Sequence, residues 1–467
     1  MRSVVAALLL IFSTFSFAAG NGVKVPPFER VQLSNGAVVL LMERHDVPLI
    51  AFSAVLRGGA VSDPADESGL ASLLVGLLQK GSGSRDAVAF AETVASVGGQ
   101  IETAASTESI AVSGSFLARD QQLMVELLAD MLQRPRLELG QFDTLRARQI
   151  EFIRAAKESD LAALTPIYGE ASLFGAHPYG RTVDGSEASL AQIKHADLQR
   201  YYQEQVGADR LILAVAGDFK TAQLKQRISR AFSGWRKAGA PLAQVPKAQA
   251  VTGRRVLLID APESVQSYFW AGNVAVAKSD PRRAALDVTN TLFGGRFTSM
   301  LNSELRIRTG LSYSASSHFD RLLQPGHWAL SSFTQTEKTI EALDLALATL
   351  DKLHQSGLDT TLLESGKSYV QGQYPLALET AGQWASQLAT LEFYGLDRSY
   401  IDNYSAALAG VSGADAKRVI DEVFPSSSQL AIVVVGNAGA LRDGLRKYGP
   451  VTEMKLADPT FAPVRAQ

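Results

Sequence analysis

The sequence predicts an α+β fold built twice: two homologous α/β sandwiches, each an antiparallel-rich sheet packed with helices. Three observations carry this expectation. Leu211-Ile-Leu-Ala-Val-Ala-Gly217-Asp218 and Leu430-Ala-Ile-Val-Val-Val-Gly436-Asn437 are continuous apolar runs closed by glycine and a turn former, which reads as a buried strand ending in a tight turn. Each follows a helical stretch opening at an aspartate (197–202 and 415–420) and precedes an amphipathic one (224–228 and 441–445). Between the two copies, residues 236–250 hold Pro241 and Pro246 among small residues with no hydrophobic period, the composition of a linker.

Taken in chain order, the elements begin with an address. Arg2 precedes an apolar run over 4–17 that is too short to span a bilayer comfortably. Ser16 and Ala18 are the small residues a signal peptidase needs, so cleavage is expected after Ala18, with an uncleaved anchor as the alternative. Residues 38–42 read as a strand, and residues 68–78, 85–97, 119–132 and 139–158 as helices, because apolar residues recur three and four apart. After the linker the plan repeats, with a strand at 256–259 and a helix at 340–354. The expected division is therefore a signal peptide at 1–18, a first domain at 19–235, the linker at 236–250 and a second domain at 251–467.

Composition narrows the function. With 45 basic and 47 acidic residues, a net charge of −2, the chain has no cationic surplus for neutralising phosphates, which argues against nucleic acid. Zero cysteines exclude disulfides, thiolate metal sites, thiol catalysis and lipoprotein attachment. No other segment carries 18 uninterrupted apolar residues, so no membrane span is expected after signal cleavage, and the expected compartment is a bacterial periplasm. Any metal site must draw on six histidines: His45, His177, His195, His318, His327 and His354.

Several motifs then fall in order. The first half holds Arg57-Gly-Gly-Ala60, Asp66-Glu-Ser-Gly-Leu-Ala71, Lys80-Gly-Ser82, Val97-Gly-Gly-Gln100 and Ala176-His-Pro-Tyr-Gly-Arg181, followed by Gly185-Ser-Glu187. The second holds Phe293-Gly-Gly-Arg-Phe-Thr-Ser-Met-Leu301 and Glu304-Leu-Arg306-Ile-Arg-Thr-Gly-Leu-Ser-Tyr313. Together they resemble the pitrilysin/insulinase superfamily of inverzincin metallopeptidases, in the short two-domain branch that includes the mitochondrial processing peptidase subunits.

The resemblance implies a zinc site that this chain lacks. Active members carry His-x-x-Glu-His on the helix after Gly-Leu-Ala, two histidines binding zinc and the glutamate activating water. Here Ser72 and Gly76 take the histidine positions and Val75 the glutamate position, while the third ligand falls at Phe152. Glu151 stands beside it, but one helical step turns a side chain about 100° away. Elsewhere, His318 and His327 flank a strand–turn–strand with no evident third ligand; His177 reads as support for a loop and His45 as a polar hairpin residue. No metal is therefore expected in this chain.

The resemblance also implies a second half-site. In active members an arginine and a tyrosine seven residues apart in the C-terminal domain engage the substrate, and Arg306 and Tyr313 keep that spacing. A helix ending near Arg308, stopped by Gly310 and followed by a strand over 311–317, would aim both at one corner. The plainer alternative pairs Arg306 with an acidic neighbour and packs Tyr313 in the core; Arg308 is a weaker candidate nearby. Gly294 and Gly295 resemble, loosely, the glycine-rich substrate loop of the noncatalytic mitochondrial subunit, or form a turn between helices.

The expected function is a noncatalytic subunit that pairs with a homologous His-x-x-Glu-His chain, the partner holding zinc, to hydrolyse peptides bound along a sheet edge. On that edge, Glu102-Thr103 stand where active members tend to show Asn-Ala. A periplasmic scaffold or peptide-binding pseudopeptidase is the alternative. A lone active peptidase would need a metal site that the sequence does not offer.

Overall fold

The computed structural model describes residues 22–463. The expected signal peptide, with its cleavage point after Ala18, lies outside the described residues. Two six-stranded sheets organise the chain. The first is built from β1 (Glu29–Gln32), β2 (Val38–Glu43), β3 (Leu49–Arg57), β4 (Gln100–Ala105), β5 (Ser109–Leu117) and β6 (Leu211–Gly217), in the order β1-β2-β6-β3-β5-β4. The second uses β7 (Arg255–Asp260), β8 (Gln266–Val274), β9 (Ala315–Asp320), β10 (His327–Gln335), β11 (Ala431–Gly436) and β12 (Val451–Lys455), in the order β12-β7-β11-β8-β10-β9.

Strand for strand the two orders coincide. In both, the apolar run ending in glycine is a fully buried central strand, parallel to one neighbour and antiparallel to the other. Register makes the copies superimposable: Ala51 pairs with the residue before Gly217, and Tyr268 with the residue before Gly436. The sheets differ at one edge. β1 enters antiparallel to β2, whereas β12 returns parallel to β7 from the opposite end of the chain.

Helices cover both faces, and one cover on each sheet is borrowed. α1 (Leu70–Leu78) and α2 (Leu139–Ser159) belong with the first half. α3 (Leu161–Phe174) leaves the first half, and its Tyr168, Leu173 and Phe174 pack with Leu257, Trp270, Val433 and Ala431 of the second sheet. α4 (Ala381–Tyr394) does the reverse: Trp384, Ala385, Leu388 and Leu391 bury Val38, Leu40, Met42, Ile212 and Ala214 of the first. Each large apolar side chain so buried contributes roughly 1.5–3 kcal/mol. Contact is close because Gly169 lets α3 press on the Trp270 indole, where a Cβ would sit 2.5 Å from a ring carbon.

Caps fix where the exchanged helices start. The Asp160 carboxylate accepts from Ala163 N at 3.0 Å to open α3. A Thr380/Gln383 capping box opens α4, which Gly395 closes at φ 65. Residues 236–250 form no helix or strand. Val245 and Ala248 nonetheless pack against the Leu173/Trp270 cluster, and His177 Nε2 meets the Pro246 carbonyl at 2.9 Å.

Two local expectations change. The strand expected over 311–317 begins only at Ala315, because Ser312 N donates back to Leu305 O and Ser314 N to Ser312 Oγ, closing a loop against the helix end. Gly294 and Gly295 are not a loop: they end a helical turn, Thr291–Gly295. Gly294 is buried there, and a Cβ on it would lie 2.4 Å from Ser317 Oγ of β9.

Candidate functional site

On the first half, α1 presents the positions where zinc ligands would stand. Its N-terminus is held by Asp63, whose buried carboxylate accepts from Gly69 N at 2.8 Å and Ala71 N at 3.1 Å. Burial pushes Asp63 up to about 7, against the pull of those backbone N–H groups.

A hydrogen-bonded cluster occupies the space at these positions. Ser72 Oγ donates to Asp184 Oδ1 at 2.6 Å, and Gln149 Nε2 of α2 donates to Ser72 Oγ at 3.3 Å and to Asp184 O at 2.5 Å. One turn before Gln149, Leu145 fills the space over Gly76, where a Cβ would meet its methyl at 3.3 Å. Val75 is buried. Phe152, at the third-ligand position, is 72% exposed, and Glu151 beside it pairs with Arg154 at 2.7 Å. A hydroxyl, an isopropyl group, a hydrogen and a phenyl ring offer no charged or imidazole donor, so these positions do not fit zinc.

The histidines supply no substitute. His318 of β9 and His327 of β10 stack edge-to-face with centroids 5.4 Å apart. Burial, reinforced by His318, holds His327 down to about 3, so it is neutral. His45 bridges Asp218 and Glu43, and His177 accepts from Tyr179 N to start a turn at Pro178. Among the described residues no group of three His, Cys, Asp or Glu is placed to hold a metal.

On the second half, Arg306 and Tyr313 come together. A short helix at Met300–Asn302 widens into a π turn over Ser303–Arg308, and Gly310 at φ 66 turns the chain out of it. Thr334 Oγ1 of β10 then holds Leu311 O at 2.6 Å, and Ser332 Oγ holds Ser314 O at 2.8 Å, fixing the loop that carries Tyr313. The Arg306 guanidinium lies 4.1 Å from the Tyr313 ring centroid and 4.7 Å from that of Phe297. Tyr313 is 71% exposed, so it does not pack in the core.

No carboxylate among the described residues pairs with Arg306; Glu304 is taken by Arg308 and Lys352. The pair opens on a depression of about 580 Å³ rimmed by Gln266, Gln335 and Lys338. What this corner can do is donate hydrogen bonds, from a guanidinium held flat by two rings and from a free phenol. The family resemblance, with its spacing of seven, pointed to Arg306 and Tyr313. Phe297, Leu145, Gln149 and Asp184 were missed, although Leu145 and Gln149 stand four apart, one helical face.

Fold and site together define a duplicated two-sheet protein of the metallopeptidase type in which Ser72, Val75, Gly76 and Phe152 do not fit zinc. Residues 38–183 match the family described as "Insulinase (Peptidase family M16)", and residues 192–370 match "Peptidase M16 inactive domain". The chain belongs to this insulinase family, with its second half of the inactive-domain type. It is 24% identical over 422 residues to an uncharacterized zinc protease of Streptomyces coelicolor, covering 89% of this chain and 90% of that one. A protein of Helicobacter pylori named as a non-peptidase homolog is 22% identical over 366 residues, covering 78% and 83%. The crystal structure of a peptidase M16 inactive domain from Pseudomonas fluorescens has the same fold, with TM-score 0.82 at 20% identity over 88% of this chain and 98% of that one. Among the described residues no helix is long and apolar enough to cross a membrane.

Proposed function

We propose that this chain is the zinc-free, noncatalytic subunit of a heterodimeric periplasmic metallopeptidase, in which its Arg306 and Tyr313 act on peptide bound at the partner's site. The partner is a homologous chain carrying His-x-x-Glu-His, and it alone holds zinc. One observation carries the reading. Among the described residues Arg306 has no carboxylate partner and is steadied between two exposed aromatic rings, while Ser72, Gln149 and Asp184 hydrogen-bond to one another at the positions where active relatives would bind zinc. A structural arginine would be expected to take a carboxylate partner; this one leaves its N–H groups and the Tyr313 hydroxyl available to a scissile carbonyl or the oxyanion formed from it.

The test is reconstitution. The purified chain should contain substoichiometric zinc and hydrolyse no peptide, and mixing with the His-x-x-Glu-His partner should create activity that Arg306→Ala and Tyr313→Phe reduce strongly. Equimolar tight zinc in this chain alone would overturn the reading. A second reading, a pseudopeptidase that binds peptides or acts as a scaffold, is favoured by the non-peptidase naming of the Helicobacter pylori relative. It predicts that both substitutions are silent.

A further inference from the structure

The two sheets are copies, yet the same place is open in one and filled in the other. In the second sheet Tyr268 of β8 pairs across to Phe333 of β10, the rings stacked with centroids 5.7 Å apart, and Trp270 lies two residues on. Beside them under α3 remains a space of only about 100 Å³. In the first sheet the register-matched residues are Ala51, Ser115 and Ser53. Three aromatic rings have become a methyl and two hydroxymethyl groups, and under the start of α4 lies a cavity of about 700 Å³.

That cavity reaches the free edge of the sheet. Among the described residues β4 is hydrogen-bonded only to β5, which leaves its outer N–H and C=O groups without a backbone partner there. Side chains alternate along it. Thr103 turns toward α1, its hydroxyl donating to Val75 O at 2.9 Å, while Gln100 and Glu102 share the face of Ser115 and Ser113 and line the cavity. Asp46 and Arg44 pair with each other at 2.5 Å across the rim. Glu102 and Glu379 also line the cavity, and among the described residues neither carboxylate makes an ion pair or side-chain hydrogen bond.

We propose that this cavity is a side-chain subsite for an extended peptide that adds to β4, and that it selects a basic residue, lysine or arginine. A peptide strand on β4 sends every second side chain onto the cavity face. The first one in reach meets a pocket large enough for a long side chain, floored by serines and carrying two uncompensated carboxylates. This rests on the peptide-binding part of the proposed function, but not on Arg306 or Tyr313.

The probe is a fluorescein-labelled nonapeptide of alternating threonine and alanine whose central residue is arginine, glutamine or glutamate, read by fluorescence anisotropy on the full chain without a partner. The arginine peptide should bind about tenfold tighter than the glutamine peptide, and the glutamate peptide weakest. The double variant Glu102→Gln/Glu379→Gln, on the surface and so benign for folding, should bring the arginine and glutamine peptides to equal affinity. Ala51→Tyr, which copies the filled sheet, should remove the preference by shutting the arginine and the glutamine side chain out alike. Equal binding of the arginine and glutamine peptides, a preference that survives both variants, or no binding of any peptide at about 1 mM would overturn the subsite. If the charge preference holds while the mixed complex hydrolyses nothing, the subsite stands and the subunit role falls.

Discussion

The Arg306 guanidinium stacks 4.1 Å from the centre of the Tyr313 ring, and it does so at the surface, where no carboxylate among the described residues pairs with it. Because the pair supports no core, its loss should be felt in rate and not in stability. Arg306→Ala is expected to lower kcat of the reconstituted peptidase by about 100-fold, near 3 kcal/mol, with the melting temperature unchanged. Tyr313→Phe keeps the ring under the guanidinium and removes only the hydroxyl, so a drop in kcat there assigns the phenol a hydrogen bond of its own. Peptide hydrolysis and thermal melts on the same preparations check both.

Restoring the ligand types on α1 should not restore zinc. Ser72→His, Val75→Glu, Gly76→His and Phe152→Glu together recreate the pattern, but Leu145 occupies the volume over residue 76. Zinc titration of this fourfold variant should show no stoichiometric binding until Leu145→Ala is added. Ser72→Ala alone strips the hydroxyl from the Asp184 carboxylate, while Gln149 keeps its bond to Asp184 O, and should cost about 1 kcal/mol in denaturant unfolding.

Sequence and structure agree where a pattern is local and part ways where it is not. The helix at Leu70–Leu78 and the strands ending at Gly217 and Gly436 are written in apolar period and glycine placement, and each forms where the pattern puts it. The Arg306/Tyr313 corner was legible through the family resemblance, whose seven-residue spacing the two residues keep. The plugging of the metal site was not, since it needs Asp184 and Gln149 to meet Ser72 across 112 and 77 residues of chain. Nor does any periodicity in α3 say that its apolar face belongs to the other half. The open cavity is visible only once register sets Ala51 against Tyr268.

Gly169→Ala should be expensive for a substitution that favours a helix. The added methyl lands 2.5 Å from the Trp270 indole, and moving either side disturbs the seam between the halves. A loss of about 3 kcal/mol is expected by chemical denaturation. Because α3 and α4 cross over, unfolding of the whole chain should be one cooperative transition, and residues 22–235 expressed alone should melt without one.

Stability should carry a signature from Glu170 of α3. Burial, and after it the nearby Asp320 carboxylate, pushes its carboxyl up to about 7. The folded chain therefore keeps a proton that the unfolded chain releases near 4.5, and the stability this group allows is lost as pH rises from about 4.5 to 7. Glu170→Gln, which never ionises, should lie within about 1 kcal/mol of the wild type at pH 5 and exceed it by about 3 kcal/mol at pH 8. His327 titrates in both chains and cancels from the difference. Denaturation curves at the two pH values decide it; equal gains at both would point to packing.

The borrowed helices also set an order of events during synthesis. The face of the first sheet that holds Val38, Leu40, Met42 and Ile212 has no cover of its own, and the helix that closes it ends at Tyr394. Until that residue has left the ribosome, a growing chain carries an apolar surface it cannot bury. Most of the polypeptide must therefore be finished before either sheet can be, which makes the unfinished chain a natural client for a holding chaperone.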